Sequence, residues 1–408
     1  MKGLIATLLP LCIFCTVISG LDVKSLVETN EVSLDPDAND NLDTLQMIRK
    51  EGYEAEAHVV ETEDGYLLTV HRIPGASGSP AVYLQHGVLG SSADWVILGK
   101  GKALAYLLAD QGYDVWLGNF RGNTYSRAHI ILTPSESKFW DFSWHESGIY
   151  DLPAMITYIV DLKKSPVNAY IGFSMGTTCF YVMASERPEE TKLLQSVYNF
   201  APVVYMKHVE SPLRYFAPVA TDYKVQYPKI FTLFGEGEFL PQNFVIKFLA
   251  KSLCNIFSWQ GKICANAMFV FTGFDAAQFN YTLLPTILNH TPAGTSAKTM
   301  VHYAQEIRSG YFRQYDYGKI GNLFYYNSFF PPAYNLSRIN IPIVMFSGEN
   351  DWLSNSADVN HLKMELPYKP VIYKVPFEQF NHVDFLWAVD APKLVYTPLL
   401  AMMKSDLF

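Results

Sequence analysis

Cysteine is scarce in this chain, with five in 408 residues. That excludes the small disulfide-stapled scaffolds, because a polypeptide this long buries a core without covalent help. Basic clusters are missing too: 31 lysines and arginines face 39 acidic residues, for a formal charge of -8, which leaves no electrostatic footprint for nucleic acid. No apolar run beyond the N-terminus approaches the roughly 20 residues of a membrane span. Cysteine and histidine nowhere cluster with zinc-like spacing, so no metal is expected, and no organic cofactor is required. Internal repeats, low-complexity tracts and long charge runs are absent. What is abundant is apolar surface, with 49% hydrophobic and 15% aromatic residues. With no span to absorb it, that surface must sit in a core, a ligand cavity or an interfacial patch.

Residues 1–20 have a separate character. Met1 and Lys2 precede the apolar stretch 3–18, which ends in the small residues Ser19 and Gly20. This is the pattern of a cleaved secretory signal, and the run is short for an anchor. Its removal takes Cys12 and Cys15 and leaves Cys179, Cys254 and Cys264, an odd number that implies a free thiol or an intermolecular bond. In an oxidising compartment the close pair Cys254 and Cys264 is the natural disulfide, while Cys179, in an apolar helix, reads as buried and inert. Sequons at Asn280, Asn289 and Asn335 fit the same route as glycan acceptors. The last residues, Ser405 to Phe408, form no ER-retention tail. Secretion, for instance to a gut lumen, and delivery to lysosomes both stay open.

Glu54 to Ile73 alternates and is broken by Glu63-Asp64-Gly65, a hairpin signal in which Asp-Gly supplies the positive φ of a tight turn. Short apolar runs follow at Ala81 to Gln85, Tyr113 to Leu117, Ala169 to Phe173, Val197 to Phe200, Ile341 to Phe346 and Val371 to Val375, all reading as buried strands. Helical patterns at Lys102 to Gln111, Asp151 to Lys163 and Thr177 to Glu186 connect them. Strands alternating with helices predict an α/β fold with a mostly parallel sheet covered on both faces. The rhythm stops near Val203 and resumes near Ile341. The intervening Pro-punctuated segment, rich in Phe, Tyr, Leu and Met, reads as an inserted helical subdomain, cap or lid, over residues 204–330. It divides a core of 21–203 and 331–408, and it would hang over the carboxyl end of the sheet, where ligands bind in open α/β folds.

Gly172-Phe173-Ser174-Met175-Gly176 matches G-x-S-x-G directly between a strand and a helix. That context puts a serine on a sharp turn, with glycines where a β-carbon would collide with neighbouring backbone, and with its hydroxyl raised above the sheet. A serine hydroxyl is a weak nucleophile and needs an imidazole to take its proton and a carboxylate to orient the imidazole. In the order serine, acid, histidine, the acid is Asp351, just past the strand Ile341 to Phe346. Glu349 is its rival and lies closer to the strand, while Asp358 reads as a solvated helical carboxylate. Among His208, His290, His302, His361 and His382, only His382 follows a final strand in a loop able to return over Ser174. His290, inside a sequon, reads as a surface residue, and His361 falls in a helix. The oxyanion formed on a carbonyl needs two donors. One is expected from the amide of Met175 and the other from His86-Gly87-Val88-Leu89-Gly90 after the strand Ala81 to Gln85, at Val88 or else Leu89. His86 is expected to hold this loop by a structural hydrogen bond.

With these residues in place, the chain resembles the acid lipase family, the animal gastric, lysosomal and insect midgut lipases, nearly from end to end. The matching segments are Val60 to Tyr66, Leu84 to Gly87, Asp114 to Asn119 continuing through Arg121 to Thr124, Tyr150 to Ala154, Pro292 to Ser296, Asp351 to Leu353 and His382 to Phe385. The resemblance implies an α/β-hydrolase core with a helical cap and lid. It implies a triad at Ser174, Asp351 and His382, oxyanion donors at Val88 and Met175, and a cap disulfide between Cys254 and Cys264. It further implies hydrolysis of triacylglycerols, with cholesteryl esters in the same class, at a lipid-water interface. Two other readings stand beside it: an esterase for dissolved short-chain esters and a non-catalytic lipid carrier. The chain departs from the family's usual G-H-S-Q-G at Phe173 and Met175, and it carries Thr272 where relatives have a third cap cysteine.

Overall fold

The computed structural model describes residues 42–220, 237–240 and 268–405. The expected signal segment and the Cys254 and Cys264 pair lie outside the described residues. Nine strands form one sheet. β1 (Glu56–Glu61) and β2 (Tyr66–Ile73) make the antiparallel hairpin, joined by a turn in which only Gly65 of the Asp-Gly pair takes a positive φ. β3 (Ala81–Gln85), β4 (Asp114–Gly118), β6 (Val167–Phe173), β7 (Leu194–Phe200), β10 (Ile343–Ser347) and β11 (Val371–Lys374) are parallel, while the short β5 (Ala128–His129) pairs with β2. The order β1-β2-β4-β3-β6-β7-β10-β11 leaves β3 with β4 on one side and β6 on the other. The strand order reverses there, the kind of point at whose carboxyl ends open α/β sheets bind ligands.

The α-helices of four or more residues among the described residues are α1 (Thr44–Lys50), α2 (Leu104–Asp110), α3 (Leu152–Lys163), α4 (Met175–Glu186), α5 (Leu213–Ala220), α6 (Leu284–His290), α7 (Ala297–Ser309), α8 (Gly318–Tyr326), α9 (Ser356–Glu365), α10 (Asp384–Trp387) and α11 (Thr397–Lys404). A strand's two-residue period decides which face each side chain enters. Ala81, Tyr83 and Tyr170 join the cluster that contains Met155 and Ile156 of α3 and Phe180 of α4. Val82, Leu84, Ala169, Ile171 and Phe173 join the cluster that contains Leu104 and Leu108 of α2 and Leu399 of α11. Burial on both faces explains why the central strands read as unbroken apolar runs. Each fully buried Leu, Ile or Phe contributes about 1.5–3 kcal/mol.

Several expectations are corrected. β11 is a half-exposed edge strand rather than a buried one, because no neighbour pairs its outer side. Asp358 is buried and accepts hydrogen bonds from the amide and Nδ1 of His208 at 2.8 and 2.7 Å, so it is not a solvated carboxylate. His290 is buried at the end of α6, as is Asn289 at 8% exposure. Asn335 is exposed and Asn280 half-buried, and each caps its own turn through the amide two residues on. Between β7 and β10, the described parts of 204–330 hold helices α5 to α8, the loops between them and the two-stranded ribbon of β8 (Glu238–Phe239) and β9 (Thr295–Ser296).

Candidate active site

β6 ends at Phe173, and the next residue, Ser174, sits at φ 51 and ψ -115, outside the regions that L residues ordinarily occupy. Its amide donates to the Phe200 carbonyl at the end of β7, and its carbonyl accepts from the Thr177 amide and hydroxyl, so neighbouring strand and helix together hold the strained turn. Gly176 is required by close approach: a β-carbon there would lie 2.5 Å from the Gln85 carbonyl oxygen at the end of β3. The turn therefore nests against the adjacent strand, and its serine begins α4 at the open end of the sheet.

Three residues far apart in the chain meet there. The Ser174 hydroxyl lies 2.8 Å from His382 Nε2. His382 Nδ1 lies 2.9 and 3.0 Å from the two Asp351 oxygens. With Nδ1–H donating to the carboxylate, Nε2 is left as the acceptor for the hydroxyl proton. Asp351 also accepts the amides of Leu353 at 2.9 Å and Ser354 at 2.7 Å, which fix its rotamer independently of the imidazole. All three side chains are buried, at 5% exposure or less, so their hydrogen bonds compete little with water. Glu349 points elsewhere and pairs with Lys374 at 2.6 Å.

The loop after β3 lies against the serine, since a β-carbon on Gly87 would be 3.0 Å from the Ser174 β-carbon. His86 anchors it, with Nδ1–H donating to the Gly87 carbonyl at 2.7 Å while Nε2 accepts the Phe120 amide at 3.1 Å. Burial pushes the His86 pKa down to about 4, which keeps the ring neutral and this donor-acceptor pattern intact. The Met175 amide, first in α4, has no acceptor within its helix. Among the described residues, neither that amide nor the Val88 amide is taken up by a hydrogen bond. Leu89 has a positive φ of 60, and its carbonyl accepts the Ala293 amide at 2.7 Å. Phe173 packs its ring 5.0 Å from the His382 ring.

A second set of supports has no motif signal in the sequence. The Thr272 carbonyl accepts the amides of both His382 and Trp352, and so ties the histidine loop to the acid loop. Gly273, at φ 110, passes so close to the Asn350 carbonyl that a β-carbon has no room. Its own carbonyl accepts Asn381 Nδ2 at 2.9 Å. Asn350 Nδ2 in turn donates to the carbonyls of Phe274 and Gln379. Only the unusual Thr272-Gly273 step in an apolar stretch could have hinted at these contacts.

The arrangement has known counterparts. Residues 44–99 match the model of the partial alpha/beta-hydrolase lipase region, and residues 80–202 match that of the alpha/beta hydrolase fold. The chain is 42% identical to Lipase 3 of Drosophila melanogaster over 370 residues, covering 89% of this chain and 93% of that protein. It is 39% identical to gastric triacylglycerol lipase of Homo sapiens over 371 residues, covering 88% and 90%. A solved structure of DcsB in complex with its substrate analogue superposes with a TM-score of 0.51 at 12% identity, covering 86% of this chain and 99% of that one, a likeness of fold alone. Identity of this extent over nearly whole chains, on a lipase-type α/β-hydrolase core, means that the protein belongs to the acid lipase family, the animal carboxylic-ester hydrolases that include the gastric lipases.

Proposed function

We propose that this protein is a lipase of the secretory route that hydrolyses the carboxylic ester bonds of neutral lipids, triacylglycerols foremost and cholesteryl esters within the same chemistry. The observation that carries this reading is the continuous hydrogen-bonded line from Asp351 through His382 to Ser174 at the open end of the sheet. In the proposed cycle, His382 Nε2 takes the Ser174 proton as Oγ forms a bond to the ester carbonyl carbon. The amides of Met175 and Val88 receive the oxyanion, each donor worth several kcal/mol of barrier. His382 then returns the proton to the departing alcohol oxygen and leaves an acyl-enzyme. Water repeats the sequence, releases the fatty acid and restores the hydroxyl.

The lipid preference rests on two supports. Two of the relatives named above are called lipases, one of them a triacylglycerol lipase. In addition, Ile320, Leu323 and Phe324 share one face of α8 and are exposed, as are Phe329 and Phe330 just beyond it. So much large apolar surface within a dozen residues suits a lipid-water interface, and an esterase for dissolved esters has no use for it. We assign residues 204–330 to the cap, with Cys254 and Cys264 as its disulfide, residues 1–20 to a cleaved signal, and Asn280 and Asn335 to glycan acceptors. The mature protein is then secreted or lysosomal. Among the described residues no helix is long and apolar enough to cross a membrane.

The decisive experiment replaces Ser174 by Ala in the purified mature protein and follows release of fatty acid from emulsified trioleoylglycerol. Loss of about 10³-fold or more in kcat is expected. Unchanged cleavage would remove the serine mechanism, and a wild-type preference for a dissolved short-chain ester over the emulsion would replace lipase by soluble esterase.

A further inference from the structure

Beside the histidine loop lies a pair of carboxyl groups that the ester chemistry does not use. Asp275, in the segment after Gly273, is buried at 2% exposure, and Asp384, first residue of α10, at 1%. Each carboxyl acts on the other directly, side chain to side chain. Asp275 Oδ1 accepts the amides of Ala277 and Gln278 at 3.1 and 3.2 Å, whereas its buried Oδ2 has no donor among the N–H and O–H groups of the described residues. Asp384 Oδ2 accepts the Asn381 amide at 2.7 Å, and Asn381 Oδ1 accepts the Asp384 amide in return. Two carboxylate oxygens in contact repel unless a proton lies between them. An Asp384 hydroxyl donating to Asp275 Oδ2 satisfies the unpartnered oxygen and removes the repulsion at once.

We propose that Asp275 and Asp384 hold one proton between them and that this acid-carboxylate pair is a positioning device for His382, clamping its loop to residues 272–278 while the proton is present. His382 stands two residues from Asp384, and its amide already rests on the Thr272 carbonyl of the opposite segment. The pair is thus the side-chain half of a clamp whose backbone half carries the imidazole. The surroundings favour holding the proton. Burial is the largest influence on Asp384 and pushes its pKa well up, with Asp275 and Asp351 adding to the effect. Burial raises Asp275 as well. Asp390 faces the pair from the far side of Gln278, which donates to it at 3.1 Å. Asp94 lies on the Ser92–Trp95 turn packed against α10, the Tyr396 hydroxyl donates to the Phe385 and Leu386 carbonyls of that helix, and His382 stands two residues before it. No lysine or arginine stands among the leading influences on either carboxyl.

A carboxyl raised on folding contributes stability that is fully present below the ordinary carboxylate range and is lost as pH rises through the raised value. Deprotonation therefore loosens the loop on the alkaline side, and kcat falls there while KM, set by lipid contacts, changes little. This inference rests on the serine-hydrolase reading, and the variant Asp384→Asn tests it separately. An asparagine keeps an oxygen for the Asn381 amide and offers a permanent N–H to Asp275, so it mimics the protonated acid at every pH. The expected result is an alkaline limb of kcat displaced upward in pH, with several-fold more of the optimum retained at about pH 8 than in wild type. A smaller loss of thermal midpoint between about pH 5 and about pH 8 should accompany it, a readout that needs no catalysis. Asp384→Ala, which leaves the Asp275 oxygen unpartnered, should lower kcat across the whole range with KM little changed. Asp94 is present in both proteins compared, so its titration cancels. Should Asp384→Asn fail to fold, Asp275→Asn restores the hydrogen bond from the other side and is expected to flatten the same limb. Profiles of either folded asparagine variant that superimpose on wild type, in activity and in thermal midpoint, overturn the clamp even if Ser174→Ala is inactive.

Discussion

Asp351 has more holding it than the imidazole. Its carboxylate takes two backbone amides as well as His382 Nδ1–H, so the loop and not the histidine decides where it points. Asp351→Asn keeps those amide contacts through the remaining oxygen, but its side-chain nitrogen faces Nδ1 with a donor and favours the wrong tautomer. The expected loss is about 10⁴-fold in kcat with KM nearly unchanged. A loss confined to KM in steady-state kinetics on a dissolved ester would assign Asp351 to substrate binding. At this scale the sequence was highly legible for Ser174, because strand, glycine, serine, glycine and helix are contiguous and their sterics are local. It was less so for Asp358 and His290, where burial depends on what packs above the helix.

Among the elements, the strand-turn-helix of β6 and α4 was readable because its period and punctuation lie within twenty residues. Boundaries moved by up to three residues: β7 begins at Leu194, β10 at Ile343, after Pro342, and α4 already at Met175. The edge character of β11 was not readable, since an apolar run looks alike whether one neighbour or two will cover it. Helix α8 makes the clearest prediction at this scale. Ile320 is 88% exposed and Phe324 83%, so substitution there costs the core little. Combining Phe324→Asp with Phe330→Asp should leave hydrolysis of a dissolved short-chain ester unchanged and lower the rate on emulsified triacylglycerol by about tenfold or more, about 1.4 kcal/mol of lost adsorption. Equal rates for the variant and wild type on the emulsion would show that the helix does not meet lipid.

For the molecule as a whole, carboxyls raised by burial lose stability as pH rises, whereas the ion-paired Asp114 and Asp64 are lowered. Asp94, beneath the loop that begins at His86, accepts the Ser91 amide at 3.2 Å, and burial pushes its pKa up to about 7. Its contribution to stability is complete below the ordinary carboxylate range and disappears as pH rises through about 7. Asp94→Asn keeps an acceptor for Ser91 and should reduce the drop in thermal midpoint between about pH 5 and about pH 8. Calorimetry that finds the same drop in both proteins would locate the alkaline loss elsewhere.

The sequence by itself determined the α/β rhythm, the interruption between Val203 and Ile341, the sharp turn at Ser174 and the order in which serine, acid and histidine occur. These follow from two-residue and 3.6-residue periods, from glycine sterics and from chain order, all of which act over short separations. Only the tertiary structure decided that β3 lies between β4 and β6, which sets the His86 loop against Ser174. Only packing brought Thr272, Gly273 and Asp275 beneath the loop of His382. Those contacts join residues about a hundred positions apart through backbone carbonyls, and a carbonyl carries no side-chain signature that a sequence could display.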